Sequence, residues 1–212
     1  MPDTRFVAAV LFIRIGAVSV EFITSSNSPE KPAENLTLES PIKELAVFNF
    51  QVEASSLAKE VAPLFQAHPL LPGVILTVNG EFLGMISRRR FMEGMSRPYG
   101  LDIFACRPIM ALYQIAQTDI LILPGVTLIF MAAQRAVQRP PEQLYEPIVV
   151  QLEPQVYRLL DVHQVLVALS QIHQQATWYI SELYYKFSVT QSELQAANAQ
   201  LKAANSELYR LA

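Results

Sequence analysis

Three consecutive arginines, Arg88, Arg89 and Arg90, stand at the predicted start of a helix. The amides of a helix start point outward, and guanidinium forks match oxygen pairs, so together they can hold a phosphate group. The competing reading of the same run is a solvated helix face whose aliphatic stems cover apolar surface. Arg97 and Arg107 each precede a proline and suit loop anchors that bond carbonyls or carboxylates. Little else in the chain could do chemistry. The three histidines are His68, His163 and His173. The last two lie ten apart and lack the four-residue spacing of a zinc pair on a helix. Cys106 is the only cysteine, which excludes an internal disulfide and a Cys-rich zinc site and leaves a core or loop thiol. No nucleophile–base pair, metal set or Gly-rich phosphate loop can be assembled, so no catalytic residue, metal or resident cofactor is expected.

Composition sets the frame around these residues. The chain has 212 residues, of which 51% are hydrophobic and 17% charged, enough apolar material to bury a core. Sixteen basic against 19 acidic residues give a net charge of -3, which argues against a nucleic-acid partner. A lone cysteine fits a reducing compartment, and a cytoplasmic location is expected. Phe6 to Ile23 is strongly apolar but contains Arg14 and Glu21. A central Arg opposes insertion by roughly 2.5–3.5 kcal/mol and leaves a marginal sum over a short stretch, so a membrane anchor there is the lesser expectation beside a docked helix or strand or a misplaced start codon. Ser25 to Pro41, with three prolines, reads as a linker.

The elements that position the arginines belong to an internal repeat. Gly73 to Ser87 aligns without a gap on Pro147 to Asp161, an offset of 74. Apolar residues coincide at Val74/Ile148, Ile75/Val149, Leu76/Val150, Val78/Leu152, Phe82/Val156, Met85/Leu159 and Ile86/Leu160. Asn79-Gly80 predicts a tight hairpin, since both residues tolerate positive φ, whereas Glu153-Pro154 predicts a different turn. Upstream, Val47 to Val52 reads as a strand, followed by a helix capped by Ser55 or Ser56 and running through Phe65. Ile120 to Leu123 and Val126 to Gln138 supply the second strand and helix. The fold expected is α+β: a β-α-β-β-α unit present twice, then a long C-terminal helix.

This unit resembles the CBS domain over roughly Pro41 to Gln174. Gly84-Met-Ile-Ser-Arg-Arg-Arg-Phe, Arg97-Pro-Tyr-Gly, Arg107-Pro-Ile, Tyr145-Glu-Pro-Ile-Val-Val and Tyr157-Arg-Leu-Leu-Asp-Val-His look like the divergent CBS-like module at the front of bacterial, notably cyanobacterial, diguanylate cyclases and histidine kinases. The resemblance implies a cleft between repeats for an adenosine nucleotide. Its pattern is Gly-apolar-apolar-Ser/Thr-x-x-Asp, in which the hydroxyl meets phosphate and the Asp the ribose. Gly84 and Ser87 match, but Arg90 stands in place of the Asp and cannot accept a ribose hydrogen bond. In the second copy the positions are Arg158, Asp161 and Gln164. The candidate ligand residues are therefore Gly84, Ser87, Arg88, Arg89, Arg90 and Asp161, and the ligand expected is a phosphate-bearing nucleotide held mainly by charge.

No proline or glycine occurs from Val162 to Ala212. Ile180, Phe187, Leu194, Leu201 and Leu208 fall seven apart, with Leu183, Thr190, Ala197, Ala204 and Leu211 three residues on. This heptad seam predicts a parallel coiled-coil homodimer, against the alternative of a helix folded back on the globular part. The segment Asn198 to Ala212 looks like the linker helix that feeds a diguanylate cyclase domain, whose GG(D/E)EF signature is absent, so an output domain in a longer chain is expected. The organisation read from sequence is an apolar segment and linker over 1–41, repeats over 42–108 and 109–165, and a signalling helix over 166–212. The function expected is a non-catalytic regulatory and dimerisation module of bacterial signal transduction; the alternative is a membrane-tethered scaffold using Phe6 to Ile23.

Overall fold

The computed structural model describes residues 11–15, 18–22, 36–116 and 119–211. In chain order the elements are β1 (Leu11–Ile15), β2 (Val18–Phe22), β3 (Gln51–Glu53), α1 (Ala58–Ala67), β4 (Gly73–Val78), β5 (Glu81–Ser87), α2 (Arg88–Ser96), α3 (Gly100–Phe104), α4 (Ile109–Ile115), β6 (Ile122–Pro124), α5 (Ile129–Val137), β7 (Ile148–Glu153), β8 (Val156–Leu160) and α6 (Val162–Leu211). The result is a mixed α and β structure with two three-stranded sheets and a long C-terminal helix.

The two repeats share one topology. In each sheet the first strand is parallel to the middle one, and the middle one forms an antiparallel hairpin with the third. The offset of 74 holds in the hairpin register: Val74 faces Ile86 as Ile148 faces Leu160, and Ile75 faces Met85 as Val149 faces Leu159. Upstream the offset becomes 71, since the Ile75 N–H donates to Phe50 O as the Val149 N–H donates to Leu121 O, both at 2.9 Å. The three extra residues of the second copy lie between α5 and β7, where a 3₁₀ turn (Pro141–Gln143) replaces the shorter loop between α1 and β4. The hairpin turns also differ. Asn79 and Gly80 both have positive φ, at 52° and 82°, as the Asn-Gly pair predicts. In the second copy Gln155, after Pro154, is the positive-φ residue, at 65°, a pattern suited to a type II turn.

Helix α2 starts at Arg88 as expected, but α1 and α5 start later than the sequence suggests. Neither Ser55 nor Ser56 caps α1; Leu57 occupies that position. Backbone carbonyls of another segment satisfy the free amides instead: Ala58 N–H donates to Arg107 O and Lys59 N–H to Ala105 O, each at 3.1 Å. The second repeat repeats the device, with Leu128 at the cap and Ile129 N–H donating to Ser40 O at 3.1 Å. The Glu60 carboxylate adds a bond from the Leu57 N–H at 3.2 Å.

These contacts interlock the repeats. The segment before the first repeat closes the second, with Ile42 N–H on Thr127 O at 2.8 Å and Lys43 N–H on Gly125 O at 3.0 Å. The segment before the second repeat closes the first, with Ile109 N–H on Ser56 O at 2.8 Å and Met110 N–H on Ala54 O at 3.2 Å. Ile109 and Leu112 are accordingly buried with Phe65, Phe91 and Leu76 in the core of the first repeat. The opposite face of the β4–β5 hairpin meets the second sheet through Ile75, Met85, Val149 and Leu159. Burial on both faces explains why Val74, Ile75 and Leu76 are apolar without alternation. Phe48 exchanges backbone hydrogen bonds with Leu159 at 2.8 and 2.9 Å, and Phe82 stacks on Tyr157 with ring centroids 4.2 Å apart.

In the amino-terminal segment, Leu11–Ile15 pairs antiparallel with Val18–Phe22. The rest of Phe6 to Ile23 lies outside the described residues, as does the first part of the proline-rich stretch; farther along it, Leu36 and Ser40 are buried. Among the described residues no helix is long and apolar enough to cross a membrane. Helix α6 begins with buried Val162, Val165 and Ala168 and extends through Leu211. Residues 170–212 form a separate compact unit, in which Ile180, Leu183, Phe187, Leu194 and Leu201 are exposed. The side chains of Leu208 and Leu211 lie outside those described.

Candidate functional site

Strand β5 ends at Ser87, whose hydroxyl accepts the Arg90 N–H at 3.1 Å and caps α2. A serine at this position satisfies one of the four free amides of the helix start. The cap fixes the direction of the three arginines that follow, and they diverge to different partners.

Arg88 turns back into its own repeat. Its guanidinium donates to Phe65 O at 2.7 Å and to His68 O and Pro69 O at 3.1 Å each, and lies over the Phe65 ring at 5.6 Å. It caps the carbonyl end of α1, where positive charge is favourable. Arg139 does the same for α5, although it sits elsewhere in the sequence. Its Nε donates to Ala136 O at 3.3 Å, and its Nη2 to Leu144 O at 3.4 Å and Glu146 O at 2.7 Å. Burial pushes the Arg139 guanidinium below its ordinary pKa, while the Glu146 charge pulls it back up.

Arg89 and Arg90 cross to the second repeat. Both meet the Glu146 carboxylate: Arg89 Nη2 lies 2.5 Å and Arg90 Nε 3.2 Å from the same oxygen, Oε1. Glu146 is only 1% exposed. A carboxylate so deeply buried is tolerated only when paired, and two guanidiniums supply the pairing. Arg89 also bonds the Glu142 carbonyl at 2.6 Å, and Glu93 pairs with Arg89 at 2.9 Å and with Arg90 at 3.5 Å. Glu146 Oε2 and Arg139 Nη1 are buried without a hydrogen-bond partner.

The remaining candidates have structural tasks. Gly84 backs onto Tyr113 of α4: a Cβ there would collide with the phenol hydroxyl and come within 2.6 Å of Cζ. Asp161 accepts the His163 N–H at 3.0 Å at the start of α6. Arg158 bonds its neighbour's carbonyl, Tyr157 O, at 2.8 Å, and burial lowers its pKa. Cys106 is exposed rather than buried, a loop thiol. Among the described residues no group of three or more His, Cys, Asp or Glu side chains is placed to hold a metal.

Of the residues singled out by sequence, the structure thus brings Arg89 and Arg90 together, and adds Glu146 and Arg139, which sequence reasoning missed. The missed signal was one of charge: adjacent arginines at a helix start within a packed domain call for a counter-charge, and Glu146 stands directly before the second copy's buried strand. Two clefts adjoin the cluster. One, of about 80 Å³, is lined by Arg90, Glu93, Arg97 and Phe104, and is small beside the roughly 300 Å³ at which ligand pockets begin. The other, of about 390 Å³, opens beside Arg139 and is lined also by Asp119, Arg135, Gln138 and Gln143.

No family model matches the chain, and no curated protein matches it. Solved structures do. A CBS-domain-containing protein from Agrobacterium tumefaciens is similar with a TM-score of 0.48 and 14% identity, covering 63% of this chain and 98% of that one. A CBS-domain-containing protein from Thermotoga maritima gives 0.47 and 13%, covering 63% and 96%. A putative acetoin utilization protein from Vibrio cholerae gives 0.47 and 14%, covering 66% and 98%.

Proposed function

We propose that the chain is a non-catalytic regulatory and dimerisation module of a bacterial signal-transduction protein, in which a CBS-like repeat pair is coupled through α6 to a C-terminal output domain, a diguanylate cyclase. The observation that carries this reading is the exposed apolar seam of α6. Ile180, Phe187, Leu194 and Leu201 recur every seven residues, with Leu183 three residues after the first, and all are more than half exposed. An isolated helix cannot bury such a seam, and a second copy of the same helix in parallel can. The repeat pair is the sensing part, with a phosphate-bearing nucleotide held by charge at Arg89 and Arg90. A change in the repeat pair then alters the geometry of the dimer, and the helix pair passes it to the output domain.

The test is the solution mass of the chain with Leu194→Glu and Leu201→Glu combined. Like charges facing each other across the seam should convert a dimer to a monomer by light scattering. An unchanged mass overturns the coiled-coil reading.

A further inference from the structure

From the Arg89–Glu146–Arg90 geometry we infer that Glu146 is an internal anion, competing with a phosphate-bearing ligand for the start of α2 and coupling ligand entry to release of a contact between the repeats. The inference rests on the reading of Arg89 and Arg90 as an anion site and adds its regulation. Three observations support it. Glu146 is 1% exposed and places Oε1 on both arginines, as a bound anion would be placed. Arg139, which bonds the Glu146 carbonyl, keeps its Nη1 buried without a hydrogen-bond partner, so a donor beside Glu146 is left idle by its carboxylate. The 390 Å³ cleft is lined by Arg139, the residue that bonds the Glu146 carbonyl.

A phosphate group carries three acceptor oxygens where Glu146 uses one, so it can satisfy donors that the carboxylate leaves idle. To do so it must displace Glu146, which belongs to the second repeat, whereas Arg89 and Arg90 belong to the first. Binding therefore exchanges an inter-repeat ion pair for a ligand contact. That is a differential interaction between two states, the condition for a ligand to shift their populations.

The experiment is calorimetric titration of the full chain and of its Glu146→Gln variant with inorganic pyrophosphate and with ATP at low ionic strength. Glu146→Gln keeps the shape and removes the competing charge. It should bind at least one of the two probes at least about tenfold more tightly than the unchanged chain, the scale of one charge-assisted hydrogen bond. Adding Arg89→Ala should abolish that gain. Tighter binding of ATP than of pyrophosphate assigns a nucleotide, and equal binding assigns the phosphate group alone. Equal affinity of both proteins for a probe overturns the competition but leaves the anion site standing. No binding by either protein overturns the anion site and the competition with it, without bearing on the dimer. Glu146→Asp, which keeps the charge but shortens the reach, serves as the second variant and should show a smaller gain. Failure of both variants to fold would show that the carboxylate cannot be released for a ligand, and would overturn the proposal.

Discussion

Arg90 in the first repeat and Glu146 in the second are separated by 56 positions of chain and by 3.2 Å in space. Arg89, one residue earlier, reaches the same carboxylate oxygen. The pair thus ties the start of α2 to the residue that introduces the buried strand β7. It adds a polar link to an apolar one, because Ile75, Met85, Val149 and Leu159 already hold the two sheets together. The apolar contact sets how strongly the repeats associate. The ion pair, which is directional and needs both partners, bears on which arrangement they adopt.

Arg88 makes its three carbonyl contacts from one nitrogen, Nη1, with the guanidinium over the Phe65 ring, whereas a lysine ammonium ends one atom sooner and has no planar face to lay on the ring. Arg88→Lys should destabilise the chain by about 1–3 kcal/mol, the range of hydrogen bonds to a charged group. Urea denaturation checks this. A midpoint unchanged from the parent would show that these bonds add nothing beyond solvation of the same groups.

Gly84 has no room for a side chain, because the Tyr113 phenol occupies the space. Gly84→Ala should cost about 1–3 kcal/mol through overpacking. Truncating the obstacle with Tyr113→Ala should remove most of that added cost. The measurement is a double-mutant cycle by thermal or urea unfolding, and additive effects would show that the two positions do not crowd each other.

Phe82 and Tyr157 stack across the two hairpins. Their coupling energy in a cycle of alanine substitutions should be about 0.5–1.5 kcal/mol, the value of an aromatic pair beyond its buried area. A coupling near zero would mean that the rings meet without stabilising the repeat pair.

How much of this was readable from sequence follows the range of the interactions. The hairpins were legible because their signals are local: two apolar runs at an offset of 74, and an Asn79-Gly80 pair whose backbone preference is intrinsic. The start of α2 at Arg88 was legible as well, whereas the role of Ser87 as its cap was not read. The starts of α1 and α5 were not, because Leu57 and Leu128 carry no capping side chain and the amides of Ala58 and Ile129 are met by carbonyls from distant segments. The change of offset from 74 to 71 was hidden in a proline-containing loop. The fate of the arginines was half legible. Their types showed that they bind oxygen, but whether the oxygen belongs to a ligand, a carbonyl or a buried carboxylate depends on chain neighbours from 19 to 57 positions away. Nothing local to Tyr145-Glu146-Pro147 marks its carboxylate for burial, and its partners Arg89 and Arg90 lie 57 and 56 positions away.

Arg90 stands where the resembled family has a ribose-binding Asp, and the obvious restoration, Arg90→Asp, now carries a cost that sequence did not show. It removes the guanidinium at 3.2 Å from Glu146 and sets a second carboxylate beside a residue that is 1% exposed. Breaking a buried ion pair leaves an uncompensated charge, and Arg89 compensates only in part. A loss of about 3 kcal/mol is expected, toward the lower end for such pairs. Adding Glu146→Gln should recover part of the loss, because the repulsion between the two carboxylates disappears. Any gain in affinity for AMP should therefore be absent from Arg90→Asp alone and present in the double variant, where the new Asp is free to accept from ribose hydroxyls. Urea unfolding and calorimetry on the parent, both single variants and the double variant check the two halves together. Equal stability of Arg90→Asp and the parent would show that Arg89 alone neutralises Glu146, and the Arg90 side chain would then be open to a ligand without any displacement of the carboxylate.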